Sequence, residues 1–325
     1  MISFRRILTL AATLGLIATA SPAQSPAAPD TLGRARLARL LLGFEYALRD
    51  RPPRDEQLPE ISRTFDAATL AFFAGKNDAA ARTIDSLIAV IDPDSARRAA
   101  YALTADRALA QASADRLTLR VESGAEIPYR LRVPAGAAHA RGLVVALHGA
   151  GGDERMWFEA YGAGMIVSLA AQRDLVVVTP LTTAIRDAAT LDALVEAVAT
   201  RTPIDRRRVV LLGHSLGAIT AWRLAPARSA MIAGVVCLAG PCGSVAPADT
   251  TAMPPLFLAA GALDPLGAPG RLEAAAKGAI AAGRAVDFRI IPSRGHTMMV
   301  SAALPAAFEW IAARAPSARE YRRAP

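Results

Sequence analysis

A chain of 325 residues, 53% hydrophobic and 20% charged, is long enough for a full enzyme core plus a smaller unit, and it lacks the polar bias of a disordered protein. Its formal charge of +8 comes from arginines spread along the whole sequence, with Arg97-Arg98 and Arg206-Arg207-Arg208 as short clusters. No basic stripe interleaved with aromatics is present, which argues against nucleic acid as a partner.

The first stretch has the pattern of an export signal. Arg5-Arg6 precedes an apolar run over 7–18, and both Ala18-Thr-Ala20 and Ser21-Pro-Ala23 satisfy the small-x-small cleavage rule. The run is too short for a comfortable membrane span. Residues 1–23 are therefore expected to be removed, with no stable membrane insertion afterwards, and the product to be periplasmic or extracellular. Residues 24–30 read as a flexible, Pro-rich leader.

Residues 31–113 read as a helical N-terminal domain or cover. Leu37, Leu40, Leu41, Phe44 and Leu48 recur at helical spacing, and Pro52-Pro53 ends that helix. A second helix is expected over 60–74. Asp78 is a candidate cap for the third, in which Ile84, Leu87, Ile88 and Ile91 share a face. Asp92-Pro93 is expected to start the fourth, with proline at the first helical position. Residues 68–91 look faintly like one tetratricopeptide unit, but one unit cannot bury its own face and no clear second copy follows.

At Leu117 the period becomes alternating. Leu117, Leu119 and Val121, a turn at 122–124, then Ile127, Tyr129, Leu131 and Val133 predict an antiparallel hairpin. Apolar strands are then expected at 143–147, 175–179, 209–212, 232–239, 256–260 and 286–291. The helices between and after them are expected at 159–172, 187–200, 219–225, 271–282 and 304–313. Continuous apolar strands alternating with helices predict an α/β fold, a mostly parallel eight-stranded sheet covered on both faces. This catalytic unit is taken as 116–316, followed by a tail over 317–325.

The chain is organised around Gly213-His214-Ser215-Leu216-Gly217, which follows an apolar strand and precedes a helix. That context makes Gly-x-Ser-x-Gly a candidate nucleophile elbow, in which Ser215 occupies a strained turn and side chains at 213 and 217 would collide with their neighbours. A serine hydroxyl needs a general base. Of the four histidines, His139 precedes a strand, His148 opens a glycine-rich loop, and His214 is expected to point away from the elbow's tip. His296 lies just beyond the last strand, at the carboxyl edge where open α/β sheets build their sites. Asp264, in the exit turn of the strand at 256–260, is the candidate carboxylate to orient it.

His148-Gly-Ala-Gly-Gly152 follows the strand at 143–147, and with the elbow it supplies candidate oxyanion donors, the N–H groups of Ala150 and Leu216, with Gly149 less favoured. A dinucleotide fingerprint fails there because Glu154 stands where the third glycine belongs. No Cys/His cluster suggests a metal, and no cofactor is expected. Trp157, Phe158, Met298 and Met299 flank these motifs as candidate pocket residues, with core packing as the alternative.

Residues 117–313 resemble an α/β-hydrolase. The segments Leu143-Val-Val-Ala-Leu-His-Gly-Ala-Gly-Gly152 and Ile204-Asp-Arg-Arg-Arg-Val-Val-Leu-Leu-Gly-His-Ser-Leu-Gly217 are similar to secreted bacterial esterases related to the feruloyl-esterase, polyhydroxyalkanoate-depolymerase and prolyl-oligopeptidase groups. The chain order Ser215, Asp264, His296 is that of the superfamily's triad. The resemblance implies a serine hydrolase acting on a small-molecule carboxylic ester through an acyl-enzyme. A peptidase or acyltransferase with the same triad is the related alternative, and a non-catalytic secreted binding protein the alternative of another class. The sequence departs from those groups in having no β-propeller, no long insertion between residues 239 and 256, and an N-terminal helical segment.

Two further expectations follow. Cys237 and Cys242 are candidates for a disulfide in an exported protein, with two buried thiols as the alternative. The stretch 240–255 shows no apolar periodicity for a lid. The site is accordingly expected to be open and to serve soluble short-chain esters, unless 31–113 folds back as a cover.

Overall fold

The computed structural model describes residues 31–314 except 123, 137–138, 241 and 243–252, with Thr31 and Leu32 as backbone only. The expected signal, leader and tail lie outside the described residues, as does most of the stretch at 240–255. Among the described residues, no helix is long and apolar enough to cross a membrane.

Four helices come first: α1 (Thr31–Asp50), α2 (Leu58–Phe73), α3 (Asn77–Ile91) and α4 (Ser95–Ala114). Two of the expected starts move. Asp94, rather than Asp92, caps α4 by accepting the N–H groups of Ala96 and Arg97, because Asp92 is turned inward onto Arg97 and Tyr101. Lys76 precedes α3, so Asp78 lies inside its first turn, where its charge still suits the helix dipole. The helices share a core in which Phe44 stacks on Phe65 at 4.5 Å, and Ala160 and Met298 belong to that same core. The described residues from Gly33 onward form one compact unit.

The strands are β1 (Leu117–Arg120), β2 (Glu126–Arg132), β3 (Arg141–Leu147), β4 (Val176–Pro180), β5 (Ile204–His214), β6 (Ile232–Leu238), β7 (Leu256–Gly261) and β8 (Val286–Ile291). They form one eight-stranded sheet in the order β1-β2-β4-β3-β5-β6-β7-β8. β1 and β2 are antiparallel, β2 meets β4 antiparallel, and every other pairing is parallel. This is the α/β-hydrolase fold. Strands β3, β4 and β7 are buried along their whole length, which is why they read as unbroken apolar runs.

The helices α5 (Ile166–Gln172), α6 (Ala188–Ala199), α7 (Leu216–Leu224), α8 (Ala268–Ala281) and α9 (Met299–Arg314) complete the layers. The helix expected over 159–172 is broken. A π-turn at Met156–Ala160 and a 3₁₀ turn at Tyr161–Gly164 precede α5, with φ positive at Gly162, Ala163 and Gly164.

The chain passes from β3 outward to β4, then returns to β5 on the other side of β3. The loops leaving β3 and β5 therefore diverge at the carboxyl edge and open a crevice between them, the usual place for a ligand in a doubly wound sheet.

Candidate active site

Ser215 caps α7 at the end of β5 with φ 52° and ψ −113°, a strained conformation that costs on the order of 1–3 kcal/mol. Its own N–H donates to the Leu238 carbonyl at 2.9 Å, which ties the turn to β6. The two glycines of the motif are required by contact. A Cβ at Gly213 would lie 2.3 Å from the Gly217 backbone, and one at Gly217 only 2.0 Å from the Leu147 carbonyl oxygen. The strain thus aims the hydroxyl into the crevice, with the N-terminus of α7 behind it.

His296 and Asp264 meet it there. Ser215 Oγ lies 3.0 Å from His296 Nε2, and His296 Nδ1–H donates to Asp264 Oδ2 at 2.8 Å. Asp264 Oδ1 accepts the Leu266 N–H at 2.8 Å, which fixes the carboxylate in the exit turn of β7. Asp264 and His296 are buried. The carboxylate at Nδ1 holds the imidazole in the tautomer that leaves Nε2 free to accept the serine proton.

The loop after β3 is held by His148. Its Nδ1–H donates to the Gly149 carbonyl at 2.8 Å, and its Nε2 accepts the Thr182 N–H at 2.9 Å. Burial lowers its pKa below the ordinary value, as suits a neutral ring used in both directions. Gly149 N–H donates to the Tyr161 hydroxyl at 3.4 Å, and Ala150 and Gly151 are the exposed residues of the loop beside Ser215. Leu216 opens α7, where a backbone N–H has no acceptor within the helix. These two N–H groups are the candidate oxyanion donors.

His214 does not point away as expected. Tyr161 O–H donates to its Nδ1 at 2.8 Å, and its Nε2–H donates to the His296 carbonyl at 3.2 Å. Burial, with the nearby His296 adding to it, pulls its pKa well below the ordinary range, so a neutral ring buttresses His296 from behind.

The pocket candidates are corrected. Trp157 and Phe158 are turned into the core by the π-turn. The Trp157 ring meets Tyr161 edge-on at 4.7 Å, and the guanidinium groups of Arg130 and Arg132 cover Phe158 at 5.4 and 5.2 Å. Met298 packs into the core of the N-terminal helices and Met299 into that of the sheet. The two cysteines are free buried thiols. Both sulfurs face the Ala218 carbonyl, at 3.7 and 3.5 Å, so the candidate disulfide is absent here. Among the described residues, no acid, histidine and cysteine cluster fit for a metal occurs.

The N-terminal helices fold back over the carboxyl edge, the exception to an open site that the sequence allowed. The cavity above Ser215 is walled by α1, α2 and α3 facing the loop at 149–156. From α2, Asp66 accepts the His296 N–H through both carboxylate oxygens at 3.1 and 3.0 Å, and Ser62 Oγ accepts the Gly295 N–H at 2.7 Å. Burial raises the Asp66 pKa to about 6, with His296 and backbone N–H groups acting the other way. From α1, the buried Glu45 accepts the Gly162 N–H at 3.1 Å. Sequence reasoning missed all three. The signal was present in α2, where Ser62 and Asp66 interrupt a stripe of Leu58, Ile61, Phe65 and Ala68, since a polar pair inside an apolar face needs a partner.

A model of the alpha/beta hydrolase family matches residues 144–324, more than half of the chain. No protein of curated function matches the sequence. Among solved structures, an S-formylglutathione hydrolase from Staphylococcus aureus is 16% identical with a TM-score of 0.50, over 60% of this chain and 94% of that one. A bacterial heroin esterase is 18% identical with a TM-score of 0.51, over 62% of this chain and 84% of that one. An esterase from the archaeon Pyrobaculum calidifontis is 16% identical with a TM-score of 0.51, over 61% and 84% respectively. At these identities the likeness is one of fold.

Proposed function

The chain belongs to the α/β-hydrolase family, and on that footing we propose that it is a serine hydrolase cleaving carboxylic esters through an acyl-enzyme. The observation that carries this reading is the hydrogen-bonded line from Ser215 Oγ through both ring nitrogens of His296 to Asp264, at 3.0 and 2.8 Å. Ester is favoured over amide by the fold neighbours that carry esterase names.

In the first half-reaction His296 Nε2 takes the Ser215 proton as Oγ bonds to the carbonyl carbon. The carbonyl electrons move to oxygen, which the N–H groups of Leu216 and Ala150 hold. Asp264 stabilises the imidazolium. Collapse breaks the bond to the alkoxy oxygen, the leaving alcohol takes the proton from His296, and the acyl group stays on Ser215. Water then enters, gives a proton to Nε2, attacks the acyl carbon, and releases the acid as Ser215 regains its proton. This chemistry needs no cofactor.

A panel of p-nitrophenyl esters and matched peptide amides tests the reading. Ester kcat/KM is expected to exceed amide kcat/KM, and Ser215→Ala to lower kcat about 10⁴-fold or more. Preferential amide cleavage would make the enzyme a peptidase. Undiminished ester turnover in Ser215→Ala would remove Ser215 from the chemistry.

A further inference from the structure

The cavity over Ser215 has a volume of about 300 Å³. One wall is the oxyanion loop with Met156, and the other is built by the N-terminal helices, chiefly Leu37, Leu41, Phe65, Phe72 and Ile84. Most charged residues around it are already engaged. Asp153 is paired with Arg155 and Glu159 with Arg130, at 2.5 and 2.6 Å, while Arg34 is exposed. A charged substrate group buried among the apolar side chains, away from Arg34, would lose its hydration without gaining a partner. An apolar group would bury surface on both walls at once.

We propose that this chamber, contributed largely by the four-helix segment ahead of the sheet, binds an uncharged apolar limb of the ester containing about eight to ten carbon atoms. The size follows from the volume. An apolar cavity of ~150 Å³ holds one benzene ring, and this cavity is about twice as large, with its inner end taken up by the reacting carboxyl group. The proposal rests on the reading of Ser215 as the nucleophile. It replaces the expectation of short-chain substrates that the sequence between residues 240 and 255 suggested.

Two substrate series tell which side of the ester the chamber takes: p-nitrophenyl esters with acyl chains of two to fourteen carbons, and acetates of alcohols over the same range. In one series kcat/KM is expected to rise at least about tenfold from two carbons to eight, because each buried methylene contributes up to about three- to fourfold, and to fall again by fourteen. Ala38 and Thr69 are half-buried residues of the cavity wall, on α1 and α2. Ala38→Phe and Thr69→Phe are each expected to cut the ratio of eight-carbon to two-carbon turnover about tenfold. The use of two separate helices guards against one variant misfolding. Flat or falling profiles in both series would overturn the proposal, as would ratios that neither substitution changes. If no ester is turned over, the serine-hydrolase reading fails, and calorimetry on the full-length Ser215→Ala protein still decides the chamber. Octyl acetate binding at least about tenfold tighter than ethyl acetate supports it, and equal binding rejects it.

Discussion

At the residue scale, His296, the proposed base, is held by two carboxylates in different ways. Asp264 binds the His296 ring and Asp66 its backbone N–H. The approach is close enough that a Cβ at Gly295 would fall 1.7 Å from an Asp66 carboxylate oxygen, so any side chain there would push the Asp66 carboxylate off the His296 N–H. Asp66 touches neither Ser215 nor the reacting bond, and its effect is to position His296. Asp66→Asn keeps the side chain's shape but exchanges one acceptor oxygen for a donor. It is expected to lower kcat about 10- to 100-fold, as small displacements of a reacting group do, with KM changed by no more than about twofold. Steady-state kinetics checks this. A rise in KM alone, or no change, would reduce Asp66 to packing. The His296 N–H and Asp66 lie 230 positions apart in the chain, so no local pattern named that partner. What the sequence did carry was the anomaly of a carboxylate on the buried face of α2.

At the element scale, the break between Met156 and α5 decides what surrounds the serine. A continuous helix over 159–172, as periodicity predicts, would not hold Tyr161 against both Gly149 and His214. The turn survives because Glu45 accepts the N–H of Gly162. Burial raises the Glu45 carboxyl from its ordinary 4.5 to about 8, with the backbone hydrogen bonds opposing, so Glu45 is protonated at neutral pH. The folded state keeps a proton that the unfolded chain has released above pH 4.5. This stabilisation is complete below that pH and is lost as pH rises towards 8, at about 1.4 kcal/mol per unit. Asp66, raised only to about 6, has made most of its own change by pH 6.5. Urea unfolding at pH 6.5 and pH 8 should therefore show a loss that Glu45→Gln largely abolishes, since the amide mimics the protonated acid. Equal losses in the two proteins would contradict the assignment. The strands, by contrast, were legible to within a few residues at most ends, because a buried parallel strand is an unbroken apolar run.

At the scale of the whole molecule, the sheet and the line Ser215, His296, Asp264 follow from patterns that are local or ordered along the chain. The walls of the cavity do not. Trp157, Phe158 and Met298 were candidates for their closeness in sequence to the motifs, yet all three are buried in packed cores. The residues that do line the chamber, such as Leu37, Phe65 and Phe72, come from helices whose apolar faces read equally well as ordinary core. Periodicity shows that such a face must be covered, and only the tertiary arrangement shows what covers it. The central claim is that Ser215 is a nucleophile activated by His296. Its most direct test is to treat the full-length protein with an alkyl fluorophosphonate and locate the adduct by peptide mass spectrometry. The account predicts one adduct per chain, on Ser215, formed at least about 100-fold more slowly in His296→Ala; an adduct on another residue, or none while esters are still turned over, would contradict it.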